Sequence, residues 1–320
     1  MKPVPWQFQF VLLSAIWGLS FFFIKVADSA LAPMQVAFGR VAVGALTLLL
    51  ILALRREHLP RGRRVWGHLA VVAVLINVVP FTLIAFAETH ITSVLAGIWN
   101  ATTPLLTLAV VALALPSERP NRQRLLGLGV GFVGVLVVLG LWRSLARGEL
   151  VGSTASLGAA LAYALAFAYT RRFLVGRALS VVALSAGQTL CATVELALVT
   201  PFFGAVPAFL PARVWLSILL LGALGTGLAY ILNYGVIRAA GATVASTVTY
   251  LVPLFATAAG LLFLGERLAW NELVGGAIVI AGVALSQGSL NRVARWVSGR
   301  PTPATDLSAG AAAPTARRGR

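Results

Sequence analysis

Residues Gly241–Arg267 read GATVASTVTYLVPLFATAAGLLFLGER, an apolar run long enough to cross a bilayer, with Pro253 in mid-span and a Gly265-Glu266-Arg267 turn at its end. A second version lies earlier, where Ile91–Arg119 read ITSVLAGIWNATTPLLTLAVVALALPSER. An offset of 149 residues places Pro104 on Pro253, Ala96 on Ala245 and Leu105 on Leu254, and one residue of slack brings Glu118 and Arg119 onto Glu266 and Arg267. A shared proline, a shared Glu-Arg terminus and a shared apolar length together indicate an internal duplication.

The composition sets the solvent in which that duplication works. Hydrophobic residues are 59% of the 320, charged residues 11%, and the mean hydropathy is +0.92, against about 25% charged residues in an ordinary globular domain. Apolar runs of roughly 20 residues, the length of one membrane-crossing helix, recur along the whole chain. They do not alternate apolar and polar residues as the strands of a membrane β-barrel do. The runs predict an all-α integral membrane protein with ten transmembrane helices, at about 7–26, 33–54, 68–87, 92–115, 125–142, 153–170, 180–202, 214–237, 244–264 and 271–288. The first carries one Lys ahead of it and is followed directly by another span, which reads as an uncleaved helix and not a signal peptide. The tail 289–320 is rich in Ala, Pro, Gly, Ser and Arg and reads as a basic, disordered cytoplasmic segment.

The net charge of +16 is spread in short runs between apolar segments, which points to orientation in the membrane and away from nucleic acid. With the N-terminus in the cytoplasm, nineteen basic residues fall on the inner side and four, Arg143, Arg147, Arg213 and Arg267, on the outer. Both termini are therefore expected inside, in the cell (inner) membrane. The lone cysteine, Cys191, leaves no internal disulfide to form.

The duplicated stretches are the fourth and ninth spans, so each half holds five helices, residues 1–146 and 147–288. Five is odd, and the second half enters the membrane upside down relative to the first, a construction of secondary transporters that hold substrate near the midplane between the halves. Other positions pair as well: Trp17 and Phe21 with Tyr163 and Phe167, Lys25 with Arg171, Arg40 near Gln188, and Asn77 and Phe81 with Thr226 and Tyr230. The fifth and tenth spans share Gly127 and Gly134 against Gly275 and Gly282.

The stretch WGLSFFFIK at Trp17–Lys25, Arg40 in the second span, the Pro104 and Pro253 helices and the Ser-Glu-Arg and Gly-Glu-Arg ends resemble the EamA-type branch of the drug/metabolite transporter superfamily. The likeness covers about residues 8–288. It implies a 5+5 inverted-repeat fold and the export or exchange of small metabolites, often amino acids or drug-like compounds. The halves depart from one another in places, with Tyr163-Ala164 standing for Trp17-Gly18 and Glu195 for Thr47.

Residues that could carry transport come from helical spacing. On the fourth span Ser93, Gly97, Asn100, Pro104 and Thr107 share one face, and Ala242, Ser246, Thr249, Pro253 and Ala256 form the matching stripe on the ninth. Such a face is either a close helix contact or a cavity wall in which proline frees carbonyls. Thr226, Tyr230 and Asn233 share a face of the eighth span, and Asn77, Phe81 and Glu88 one of the third. The expected substrate-binding set is Trp17, Phe21, Asn77, Asn100, Tyr163, Tyr230, Asn233, Thr249 and Tyr250, with Trp99 nearby. Gating or coupling is expected of Arg40, Glu195, Pro104 and Pro253, because a charge at membrane depth is costly and usually functional. For Arg40 and Glu195 the alternative is a pairing that only fixes helix register.

Glu118 and Glu266 read as caps for the fifth and tenth helices. Trp6, Trp66 and Trp296 read as interface anchors. The glycines Gly127, Gly131, Gly134, Gly275, Gly276 and Gly282 read as packing residues, with a homodimer contact as their second use.

Rival functions find little support. His58, His68 and His90 lack metal-ligand spacing, no Gly-x-Ser-Gly turn appears, and the two aspartates, Asp28 and Asp306, form no Mg²⁺-binding pair. No enzyme activity, cofactor or metal is expected. A filter loop and a Gly-x-x-x-x-Gly-Lys phosphate loop are also missing. A membrane-embedded enzyme or a lipid scramblase remains the alternative to a transporter.

Overall fold

The computed structural model describes residues 5–114, 122–139, 147–174, 180–204, 207, 209–240 and 248–286. Among them every regular element is helical. In the first half α1 is Trp6–Asp28, α2 Pro33–Leu54, α3 Arg63–Ala73, α4 Val79–Glu88, α5 Ser93–Asn100, α6 Thr103–Ala114 and α7 Arg122–Leu139. In the second, α8 is Arg147–Phe173, α9 Val181–Val199, α10 Ala212–Gly222, α11 Ala229–Ala240, α12 Val248–Phe263 and α13 Trp270–Ser286. Seven helical stretches, among the described residues, are long and apolar enough to cross a membrane, and three shorter apolar helices lie at Leu125–Val138, Leu251–Phe263 and Trp270–Gly282.

The ends of these helices follow from local chemistry. Pro33 opens α2, where its missing N–H is no loss. Thr92 caps α5 by accepting from Leu95 N at 3.1 Å, and Ser180 caps α9 by accepting from Ala183 N at 3.0 Å. Outward faces carry rows of apolar side chains, such as Leu46, Leu50 and Leu54 on α2 and Val194 and Leu198 on α9, each more than half exposed. Contiguous apolar surface of this kind is stable against lipid, not water.

The two halves interlock instead of standing side by side. Helix α1 packs on α10, α11 and α12, while α8, the first helix of the second half, packs on α4, α5 and α6. Helix α2 lies against α9, and α7 against α13. The last pair explains the glycines: a Cβ on Gly134 would stand 2.6 Å from Val279 N, and one on Gly275 2.5 Å from Val138 N, so the two backbones touch. Asn271 Nδ2 donates to Val138 O at 2.9 Å and Gln123 Nε2 to Leu285 O at 3.0 Å, tying the pair at both ends.

Two features depart from a straight-helix reading. The third span is not one α-helix: a π turn, Val74–Val78, separates α3 from α4, and a second π turn, Ala223–Leu228, separates α10 from α11. The same offset of 149 residues carries Val74 onto Ala223, so the insertion belongs to the repeat. The fourth span is also broken, since Ala101 and Thr102 form a turn between α5 and α6 and Pro104 sits in the first turn of α6. Pro253, its counterpart, lies inside an unbroken α12.

Candidate functional site

Between the halves lies a cavity of about 140 Å³. The first half contributes Trp17, Ser20, Phe21, Ile24, Arg40, Ile76, Phe81, Ile84, Asn100 and Thr103; the second contributes Tyr163, Phe167, Gly225, Tyr230, Asn233 and Thr249. Eight of the expected substrate and gating residues thus share one chamber: Trp17, Phe21, Arg40, Asn100, Tyr163, Tyr230, Asn233 and Thr249. Ser20 and Ile24 were legible from the same pattern, three and seven residues on from Trp17 along one face of α1. Gly225 was not, because it enters the wall through the π turn.

Arg40 is the only charged side chain in that wall among the described residues. It is 6% exposed. Its Nε donates to Thr226 Oγ1 at 3.2 Å and its Nη2 to the Gly225 carbonyl at 3.4 Å, while the guanidinium carbon stands 3.9 Å from the centre of the Phe81 ring. All three partners are neutral. Phe81 supplies the negative face of its ring, a cation–π contact of about 2 kcal/mol when desolvated. The guanidinium is therefore held in place without its charge being cancelled.

Asn77 sits one layer behind the wall. It is fully buried, its Nδ2 donates to the Tyr230 hydroxyl at 2.9 Å, and its Oδ1 accepts from Gln188 Nε2 at 2.7 Å. Asn77 thereby positions the Tyr230 ring, which does line the cavity. The π turn causes this placement, since one extra residue in the turn rotates Asn77 off the Phe81 face.

Other expected site residues stand elsewhere. Trp99 is buried, and its Nε1 donates to Ser153 Oγ on α8 at 3.0 Å, so it cements the two halves and leaves the cavity. Pro104 and Pro253 do not line the chamber, but each acts on a residue that does. Pro253 has no N–H to give to the Thr249 carbonyl four residues back. On the other side, Thr103 Oγ1 donates to the Asn100 carbonyl at 2.8 Å, the group that Pro104 leaves without its helical partner. Glu195 lies on α9 away from the chamber, next to the exposed Val194 and one turn from Leu198. The side chain of Tyr250, and all of Ala242, Ser246 and Glu118, lie outside the described residues.

Glu266 does cap a helix, though not the one expected. Its carboxylate accepts from Ser93 N at 2.8 Å, Ser93 Oγ at 2.9 Å and Val94 N at 3.1 Å, the first turn of α5 in the other half. Glu272 instead serves the start of α13, accepting from Ala269 N at 2.9 Å. The Gly265 turn, with φ of 63°, swings Glu266 across.

Comparison with known proteins agrees with the two-part arrangement. The sequence model of the EamA-like transporter family matches residues 4–140 and again 150–287. An uncharacterized transporter of Bacillus subtilis, YoaV, is 23% identical over 285 residues, covering 88% of this chain and 96% of its own. An uncharacterized transporter of Archaeoglobus fulgidus is 28% identical over 291 residues, covering 86% and 94%. A solved crystal structure superposes with a TM-score of 0.63 over 89% of this chain and 97% of that one, at 20% identity, a likeness of fold alone.

Proposed function

The chain belongs to the EamA-like transporter family, and from that premise we propose that it exports or exchanges small metabolites, such as amino acids or drug-like compounds, across the cell membrane by alternating access. The reading takes ten spans in two inverted five-helix repeats, residues 1–146 and 147–288, with both termini in the cytoplasm. One observation carries it: a chamber walled by both halves, rich in aromatic rings, with one buried cation and the amides of Asn100 and Asn233. Aromatic faces and a few polar groups are what a small amphipathic solute needs to be held without being trapped.

Within this reading the rings of Trp17, Phe21, Tyr163 and Tyr230 hold the apolar part of the substrate, and Asn100, Asn233 and Thr249 its polar groups. Arg40 binds an anionic end or releases its partners in one state of the cycle. The turn beside Pro104, and the helical hydrogen bond that Pro253 leaves out of an otherwise unbroken α12, let the two stripes move relative to the rest of each half. Gly134, Gly275 and Gly282 are spent on the contact between α7 and α13, so a homodimer would use the outward faces of that pair.

Proteoliposomes loaded with a panel of amino acids and cationic drugs, with and without a pH gradient, test the function. Saturable movement of a panel member that free protein-less vesicles do not show is expected; flip of labelled lipid without solute movement would identify a scramblase instead. Topology is read by labelling Arg61→Cys in a Cys191→Ser background with a membrane-impermeant maleimide. Position 61 is expected to react only in opened cells, and reaction in intact cells would overturn the inverted-repeat reading.

A further inference from the structure

Ile24 and Ile84 line the cavity. Four residues farther along the same two helices stand Asp28 and Glu88, so both carboxyl groups lie on the cavity-facing sides of α1 and α4, about one 5.4 Å turn beyond its wall. Glu88 is 0% exposed, and among the described residues neither of its oxygens, nor either oxygen of Asp28, has a hydrogen-bond partner.

Every other charged group near Glu88 is already committed. Lys25, one turn before Asp28, gives its ammonium to the main-chain carbonyls of Glu88 and, at 2.8 Å, Ile91. The first is the last carbonyl of α4 and the second lies in the α4–α5 corner just beyond it, where a cation suits both the unpaired oxygens and the helix dipole. Glu266, from the loop before α13, is taken by Ser93 and Val94. Arg40 of α2 is taken by Thr226 and Gly225. Those four, Asp28, Lys25, Glu266 and Arg40, are the charges that act on Glu88. Helix α8 also packs on α4, and brings Tyr163 on the cavity side and Arg147 and Glu149 at its start, where a Cβ on Gly148 would stand 3.8 Å from the His90 ring.

An ionised carboxylate held in a protein interior with no donor costs several kcal/mol, so such a group persists where a cation or a proton neutralises it. A metal cation fits poorly: Lys25 already places a positive charge there, and among the described residues no three His, Cys, Asp or Glu side chains come together to hold an ion. We propose that Glu88, together with Asp28, is a proton-binding site whose loading makes and breaks the Lys25 clasp at this end of the substrate cavity, an inference that rests on the transporter reading. A proton from water bonds to one Glu88 oxygen and returns to water later in the cycle; no other bond changes. With Glu88 neutral, the Lys25 ammonium stays on the Glu88 and Ile91 carbonyls and ties α1 to the α4–α5 corner. With Glu88 ionised, the ammonium turns to the carboxylate and the tie loosens. Proton binding is thereby placed one helical turn from the solute.

Infrared difference spectroscopy on the purified full chain in detergent, stepped between alkaline and acid buffer with no solute present, tests this apart from transport. Wild type is expected to show a buried carboxylic-acid band that titrates, and Glu88→Gln to lose it while eluting as the same monodisperse species. Asp28→Asn serves as the second variant, expected to keep the band but displace its titration, because one of two mutually repelling charges is gone. A band unchanged in Glu88→Gln, no titrating band in wild type, or a titration that Asp28→Asn leaves in place would each overturn the shared site. Replacing choline by sodium in the buffer is expected to leave the titration unmoved; a sodium-dependent displacement would mean a cation site and overturn the proposal equally.

Discussion

Two π turns stand at repeat-equivalent places, and they are bound in opposite ways. In the first half, Val74–Val78 presents Asn77, which meets Gln188 of α9 and Tyr230 of α11, amide to amide and amide to phenol. In the second half, Ala223–Leu228 presents Thr226, which meets the guanidinium of Arg40 from α2. Each time the second helix of one half bonds to the third helix of the other. The backbone device has been kept through the duplication while the side chains diverged. One junction became a neutral lock behind the wall, and its twin a cation in the cavity wall. A neutral amide pair inside protein is stable in one arrangement. A guanidinium with only neutral partners gains by meeting an anion, so in the proposed cycle it is the side of the pair that moves.

Making the two junctions alike should cost the most. Arg40→Gln imitates the Gln188 side, keeps hydrogen bonding and removes the charge, and is expected to insert and fold yet lose transport by more than about tenfold, the equivalent of ~1.4 kcal/mol. Arg40→Lys is expected to retain part of the activity, since the charge survives although the planar fork does not. Uptake by the Gln variant at wild-type rate and membrane abundance would place Arg40 with the structural locks.

The neutral junction is expected to read out as stability. Asn77→Leu removes a partner of the buried Gln188 amide and of the Tyr230 hydroxyl, at about 1–3 kcal/mol for such a loss, seen as a lower thermal midpoint in detergent. A cycle with Gln188→Leu should recover a coupling of roughly 1 kcal/mol between positions 77 and 188. Additive effects would mean that the amide pair contributes nothing beyond its separate halves.

The smallest expected effect lies at the prolines. Thr103→Val removes the hydroxyl that serves the Asn100 carbonyl and should lower stability by about 1 kcal/mol, again by thermal midpoint. The second half has Val252 at the matching position and carries on without such a hydroxyl. If Thr103→Val is neutral, the turn at Ala101–Thr102 has already relieved Pro104 and the two spans differ only in shape.

Much of this was legible beforehand for a physical reason. A membrane span is a local property of some twenty consecutive residues, and a duplication is a comparison of the chain with itself. Helical spacing then found most of the chamber, because residues three and four apart share a face whatever they pack against. Where the spacing was read across a π turn, at Asn77, it gave the right helix and the wrong layer. Spacing puts Trp99 near the cavity, and only the position of Ser153 on α8 turns its ring into a fastening between the halves.

What the chain by itself determined was its apolar runs, their repeat, the basic bias between them and the faces that could be polar. Tertiary structure decided the partners. Arg40 meets a hydroxyl and a carbonyl about 186 residues away, and Glu266 caps a helix about 173 residues before it. It also decided that the carboxyl oxygens of Glu88 and Asp28 are buried near Lys25 with no hydrogen-bond partner among the described residues. In hydrocarbon every polar group must find its counterpart inside the protein, and which counterpart lies within 3 Å depends on how the two halves interlock, a relation that no stretch of sequence contains.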